Sequence, residues 1–82
     1  MKSEIFSSAI SKRNKVKFLY GMNEMLIDPY YISVERNGRK VIYGRMCSSS
    51  EIKKFEYNKI ANIKILNNIK FSPIIPIISK AV

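Results

Sequence analysis

Apolar positions along the 82-residue chain change their period once, near the start. Ile5, Phe6, Ala9 and Ile10 fall on one side at helical spacing, with Ser3 placed to cap the N-terminus. Lys12 and Arg13 occupy the last turn, where cations suit the helix dipole, and Asn14 is the expected stop. From Lys15 the period drops to two. Val16, Phe18 and Tyr20 alternate with Lys15, Lys17 and Leu19, the pattern of a strand with one basic face, and Gly21-Met22-Asn23 turns the chain.

A second strand is predicted from about Glu24 to Val34. Met25 and Ile27 hold one parity and Tyr30, Ile32 and Val34 the other, so a bulge or bend is expected near Asp28-Pro29. Asn37-Gly38 reads as a two-residue type I′ hairpin turn, because both residues accept the positive φ that this turn requires. It leads into a third strand at about Lys40 to Cys47. Ser48-Ser49-Ser50 supplies the next turn, and Glu51 to Tyr57 a fourth strand with Phe55 and Tyr57 on one side. After a brief interruption at Asn58-Lys59, a fifth strand follows from Ala61 to Leu66, with Ala61, Ile63 and Ile65 on a common face.

One short N-terminal α-helix followed by about five short strands predicts a mainly β fold. Closure into a small five-stranded β-barrel is expected, because so short a chain has little else with which to cover its sheet edges. Residues 1–70 then form a single domain. Residues 71–82 form an apolar tail, Phe71-Ser72-Pro73-Ile74-Ile75-Pro76-Ile77-Ile78 and onward, whose prolines rule out a regular helix or a central strand. Such a tail either folds back onto its own domain or meets another chain.

Composition narrows the chemistry. Apolar residues make up 46% of the chain, enough for a core, whereas charged residues make up 26% with 15 Lys plus Arg against 6 Asp plus Glu, a net charge of +9. There is no His and one Cys, Cys47. A structural zinc site therefore lacks its usual ligands, and neither a Cys–His pair nor a Ser–His–Asp relay can be assembled. No enzymatic activity, metal or other cofactor is expected. Cys47 reads as a half-buried strand residue in a reducing compartment. No stretch reaches the ~20 apolar residues of a membrane span, and Met1-Lys2-Ser3-Glu4 does not begin a secretory signal, so a cytoplasmic location away from membranes is expected.

The order and spacing of several segments carry a resemblance. They are Ala9-Ile10 before basic residues, Val16-Lys17-Phe18-Leu19-Tyr20, Ile27-Asp28-Pro29-Tyr30, Asn37-Gly38-Arg39, Glu51-Ile52-Lys53-Lys54-Phe55 and Asn58-Lys59-Ile60. Over roughly residues 5 to 71 this series resembles the WYL domain, of which the chain reads as a divergent, stand-alone copy. The resemblance implies an Sm-like barrel behind a short helix. It also implies a role in bacterial transcription regulation or defence, with a basic pocket that senses nucleic-acid fragments or nucleotide-like ligands.

The namesake Trp-Tyr-Leu falls on Lys40, Val41 and Ile42, the Arg-x-Phe element on Lys53-Lys54-Phe55, and the Asp-Arg-Ile element on Asn58-Lys59-Ile60. Lysine keeps the charge of these arginines but loses their bidentate fork, so anion attraction is retained and selectivity falls. Tyr43, on the same side of its strand as Val41, partly replaces the missing tyrosine.

Tyr43, Arg45, Lys53 and Lys59 are thus the candidate ligand-binding residues. Each cation also has an ordinary reading, a stem along the rim of the fold with its head in water. Lys12, Arg13, Lys15 and Lys17 form a wider basic face that serves solubility or binds phosphates through counterion release. Two function classes follow: a non-enzymatic regulatory module that binds a polyanion such as a nucleic-acid fragment or nucleotide, or an assembly module that uses its barrel and tail for homodimerisation or docking to a regulator.

Overall fold

The computed structural model describes residues 2–71, with side chains for all of these except 68–70. The described residues form one helix, α1 (Lys2–Lys12), and five strands: β1 (Asn14–Tyr20), β2 (Asn23–Val34), β3 (Lys40–Met46), β4 (Ile52–Glu56) and β5 (Ile60–Lys70). A short 3₁₀ turn, Tyr57–Lys59, joins β4 to β5. The strands make one antiparallel sheet in the order β4-β3-β2-β1-β5.

Each predicted element is present, and several details differ. The helix already includes Ser3, whose hydroxyl hydrogen-bonds the Tyr57 hydroxyl at 3.2 Å rather than capping the first turn. It stops at Lys12 because Arg13 adopts a left-handed φ of 60°, with its N–H on the Ile10 carbonyl at 3.2 Å. Asn14 begins β1. The bend expected near Asp28-Pro29 is a register shift in the β2–β3 ladder between Pro29 and Tyr31.

The hairpin joining β2 to β3 is not type I′. Only Gly38 has positive φ, 84°, and the turn runs from Glu35 to the Gly38 N–H at 2.8 Å, a three-residue connection ending in a left-handed glycine. In β5 the expected common face of Ala61, Ile63 and Ile65 is broken by Asn62, whose φ of 53° shifts the alternation. Ile60, Ile63 and Ile65 therefore meet the core while Ala61 is exposed.

Alternation along the strands places Val16, Phe18, Ile27, Ile42 and Phe55 on the face that α1 covers with Phe6, Ala9 and Ile10. Phe18 is the hub. Its ring stands edge-to-face with Phe6 at 6.2 Å and with Phe55 at 5.3 Å. The Phe55 contact joins β1 to β4, which are separated by two strands in the sheet order. Tyr20 repeats that crossing: its ring meets Phe55 at 5.0 Å and its hydroxyl accepts the Glu56 N–H at 3.1 Å.

The sheet is thus strongly curled around its aromatic core. Closure, however, is not made by a ladder. Among the described residues β4 pairs only with β3 and β5 only with β1, so the expected closed barrel is an open, curled five-stranded sheet. Side-chain packing of Phe18, Tyr20 and Phe55 brings the two ends together in place of strand pairing.

Phe71 packs onto this fold. It is buried, its ring lies 5.8 Å from that of Tyr30, and its N–H bonds the Arg13 carbonyl at 3.0 Å. The remainder of the predicted tail, 72–82, lies outside the described residues.

Candidate functional site

The sheet face turned away from α1 carries the opposite parity of each strand. On β1 these positions are Lys15 and Lys17, on β2 Leu26, Asp28 and Tyr31, and on β3 Tyr43 and Arg45. Register then decides which of them meet. Asp28 stands opposite Arg45, and Val16 opposite Ile27 places Lys15 on the other flank of Asp28.

The resulting cluster is built around one buried carboxylate. Lys15 Nζ donates to Asp28 Oδ1 at 2.7 Å, and Arg45 Nε lies 3.9 Å from Oδ2, an ion pair too long to be a hydrogen bond. Cys47 completes it, with Sγ 3.5 Å from Lys15 Nζ and 3.7 Å from Asp28 Oδ1. Arg45 Nη1 donates to Ser50 Oγ at 3.3 Å. Ser50 is held there by a left-handed φ of 64° and by its N–H bond to the Met46 carbonyl at 2.8 Å.

Electrostatics follow from the geometry. Burial alone would depress the Lys15 ammonium, but its hydrogen bond to Asp28 and the Asp28 charge outweigh that and hold its pKa above the ordinary lysine value. Burial is the main cause that pushes the Cys47 thiol up, the Asp28 charge adds to it, and Lys15 acts the other way. The thiol is therefore neutral near pH 7. Two cations against one carboxylate leave the cluster with an excess positive charge.

Arg45 Nε is buried and has no hydrogen-bond partner. A buried guanidinium N–H left unpaired costs free energy that an incoming acceptor would recover. Beside it, Tyr43 and Tyr31 stack face to face with ring centroids 4.7 Å apart and an angle of 10°. Lys54 is the cross-strand neighbour of Tyr43, with its Nζ on Glu35 Oε1 at 2.9 Å.

Of the four sequence candidates, the structure brings two together. Tyr43 and Arg45 are two residues apart on the helix-free face of β3. Lys53 is exposed on β4 opposite Gly44, so it belongs to the parity of Phe55, while Lys54 takes the place beside Tyr43. Lys59 is exposed in the 3₁₀ turn, where its carbonyl accepts the Gly21 N–H at 3.4 Å. Neither lysine joins the Asp28 cluster.

Sequence reasoning missed Asp28, Lys15, Ser50 and Tyr31 as parts of one site. One signal was present: Asp28 is a lone acid in the apolar run Met25 to Tyr31, and a buried acid needs a cationic partner. Which cation supplies it depends on register.

No family model matches the chain, and no curated protein matches it. Among solved structures, the fold is similar to part of Proteasome accessory factor B/C (PafBC) of Arthrobacter aurescens, with a TM-score of 0.79 and 15% sequence identity. The likeness covers 87% of this chain and 12% of that one, so the chain spans a small fraction of the other protein's length. At this identity the likeness speaks to fold, which is consistent with a WYL-like arrangement.

Proposed function

We propose that this protein is a non-enzymatic binding module that takes a polyanionic ligand, a nucleic-acid fragment or nucleotide, on the helix-free face of its sheet. The observation that carries the reading is Arg45, a guanidinium whose buried Nε makes no hydrogen bond within the protein, the Asp28 carboxylate standing 3.9 Å away, beside the Tyr43–Tyr31 stack. A phosphate oxygen supplies the missing acceptor, arginine being suited to phosphate by its planar fork. The half-buried Tyr31–Tyr43 pair offers an aromatic surface to a base. Support comes also from the net charge of +9, the WYL-like motif series and the fold likeness to a stretch of PafBC. Regulation of a partner through ligand binding is the role this reading assigns.

Assembly through the sheet edges is the second reading. β4 and β5 each leave one side without a ladder partner among the described residues, and Ile52 on β4 is 43% exposed. Lys53 and Lys54 sit on that same edge, which is how natural sheets discourage edge-to-edge pairing, so the binding reading is preferred.

The test is titration of a labelled single-stranded oligonucleotide at low and moderate salt. Arg45→Met and Tyr43→Leu are expected to weaken binding roughly tenfold or more, whereas Lys53→Ala/Lys59→Ala costs only the smaller salt-dependent share of two distant charges. Equal affinity for all variants would sink the site, and no binding at low salt would sink the polyanion reading. A light-scattering mass above the monomer that falls in Ile52→Lys would favour assembly instead.

A further inference from the structure

Away from Arg45, on the same face, β1 and β5 enclose a basic hollow. Lys17 and Lys64 are direct cross-strand partners, an arrangement of like charges that an antiparallel ladder disfavours. The nearest acid is Glu24, whose carboxylate is 3.7 Å from Lys17 Nζ with 64% of its side chain exposed, and among the described residues Lys64 has no ion pair. By sequence, Lys17 belongs to a solvated basic face.

Backbone shape adds a cavity to the charge. Lys17 pairs with Lys64 and Leu19 with Ala61, so two residues of β5, Asn62 and Ile63, stand against Phe18 alone. This is a bulge, and the left-handed φ of 53° at Asn62 forms it. The strands part there, leaving a hollow of about 320 Å³ lined by Lys17, Leu19, Glu24, Asn62 and Lys64 among others. That lies at the small end of ligand cavities. Asn62 brings an amide donor, and the two ammonium groups bring the charge.

We infer that this hollow is a phosphate-binding subsite in which one phosphate group bridges Lys17 and Lys64. A dianion between the two ammonium groups replaces their repulsion with attraction to both, which the exposed Glu24 does incompletely. The subsite shares no residue with the Arg45 cluster and stands or falls separately from it. Its phosphate has two sources: a free phosphate or phosphorylated small molecule, or the backbone of an oligonucleotide that continues across the sheet from Arg45. From β3 to β5 is three strand spacings, about 14 Å, more than a single phosphate can span.

The test uses the full chain and inorganic phosphate. Thermal unfolding and amide chemical shifts are followed as phosphate is added, with chloride at matched ionic strength as control. Wild type is expected to rise in melting temperature and to show saturating shifts at Leu19 and Asn62–Lys64, separate from those at the Arg45 cluster. Lys64→Gln loses the shifts at Leu19 and Asn62–Lys64, and Arg45→Met keeps them. Shifts spread evenly over the basic surface, or a response in Lys64→Gln equal to wild type, would overturn the subsite. A mononucleotide and a short oligothymidylate then separate the sources. Roughly threefold or greater weakening of the oligonucleotide alone by Lys64→Gln assigns the backbone, and loss confined to free phosphate assigns the small anion.

Discussion

Lys15 Nζ stands 2.7 Å from Asp28 Oδ1, on neighbouring strands, with only 2% of the Asp28 side chain exposed. Asp28 is the shared counter-charge of Lys15 and of Arg45, whose Nε lies 3.9 Å from Oδ2, and it holds both cations in place. The same arrangement that stabilises this part of the sheet positions Arg45 at the proposed anion site. Structure and proposed function meet at this pair.

Replacing Asp28 by Asn therefore leaves Lys15 and Arg45 facing each other without their counter-charge. Breaking a buried pair costs about 3 to 5 kcal/mol, and the 22% exposure of the Lys15 side chain lowers the expected loss to about 2 to 3 kcal/mol. Urea unfolding should show a lower midpoint at an unchanged slope. A midpoint equal to wild type would mean that water already solvates both cations.

Gly44 tests the packing beneath the site. A Cβ there would lie 2.6 Å from Ile27 Cδ1 and 3.0 Å from the Asp28 carbonyl oxygen, and Ile27 is fully buried. Gly44→Ala is expected to cost about 1 to 3 kcal/mol through overpacking and to push β2 away from β3. Thermal unfolding reads the first effect; changed amide shifts at Ile27 and Asp28 read the second.

Phe71 tests where the domain ends. Its ring is 8% exposed and packs against Tyr30, so Phe71→Ala is expected to lose about 3 kcal/mol while Phe71→Leu loses less than about 1.5. Equal stability of wild type and Phe71→Ala would place the residue outside the cooperative unit.

Alkaline pH should weaken the fold from about pH 9 upward. Burial, then the Asp28 charge, raises the Cys47 pKa above its ordinary 9.0, and burial raises Tyr57 above 10.0. For Lys15, burial acts downward but is outweighed by Asp28, leaving it above 10.5. In each case the folded chain keeps a proton that the unfolded chain gives up, so the stability is fully present below the ordinary value and is lost as pH rises through the raised one. Melting temperatures between pH 7 and 11 measure the fall. Cys47→Ala should move its onset upward toward the Tyr57 and Lys15 range, and an onset unmoved by that change would remove Cys47 from the account.

Much of the fold was legible because burial writes a period into the chain. Val16, Phe18, Ile27, Ile42 and Phe55 face one core, and side chains of alternate residues in a strand must point to opposite faces. The bend at Pro29 was legible too, since apolar residues of opposite parity on its two sides cannot share one face of an unbroken strand. Less was legible where a single backbone angle decides. Nothing in the pattern marks Arg13, Ser50 or Asn62 as left-handed, yet these end the helix, seat the Arg45 partner and open the Lys17–Lys64 hollow.

The amino-acid order by itself determined that this is a basic, mainly β protein with an N-terminal helix, a small aromatic core and no histidine-based chemistry. Tertiary structure decided which charges meet. Lys15, Asp28 and Arg45 are distant in the chain and become a cluster through the β1–β2 and β2–β3 registers. Register follows from turn geometry and from bulges, and a slip by one residue would send each of these side chains to the other face. The same dependence left Lys53 away from Tyr43 and put Lys54 beside it. Curvature, too, belonged to the folded chain: Phe18 and Tyr20 on β1 reach Phe55 on β4 because packing of rings, not pairing of strands, brings the two ends of the sheet together.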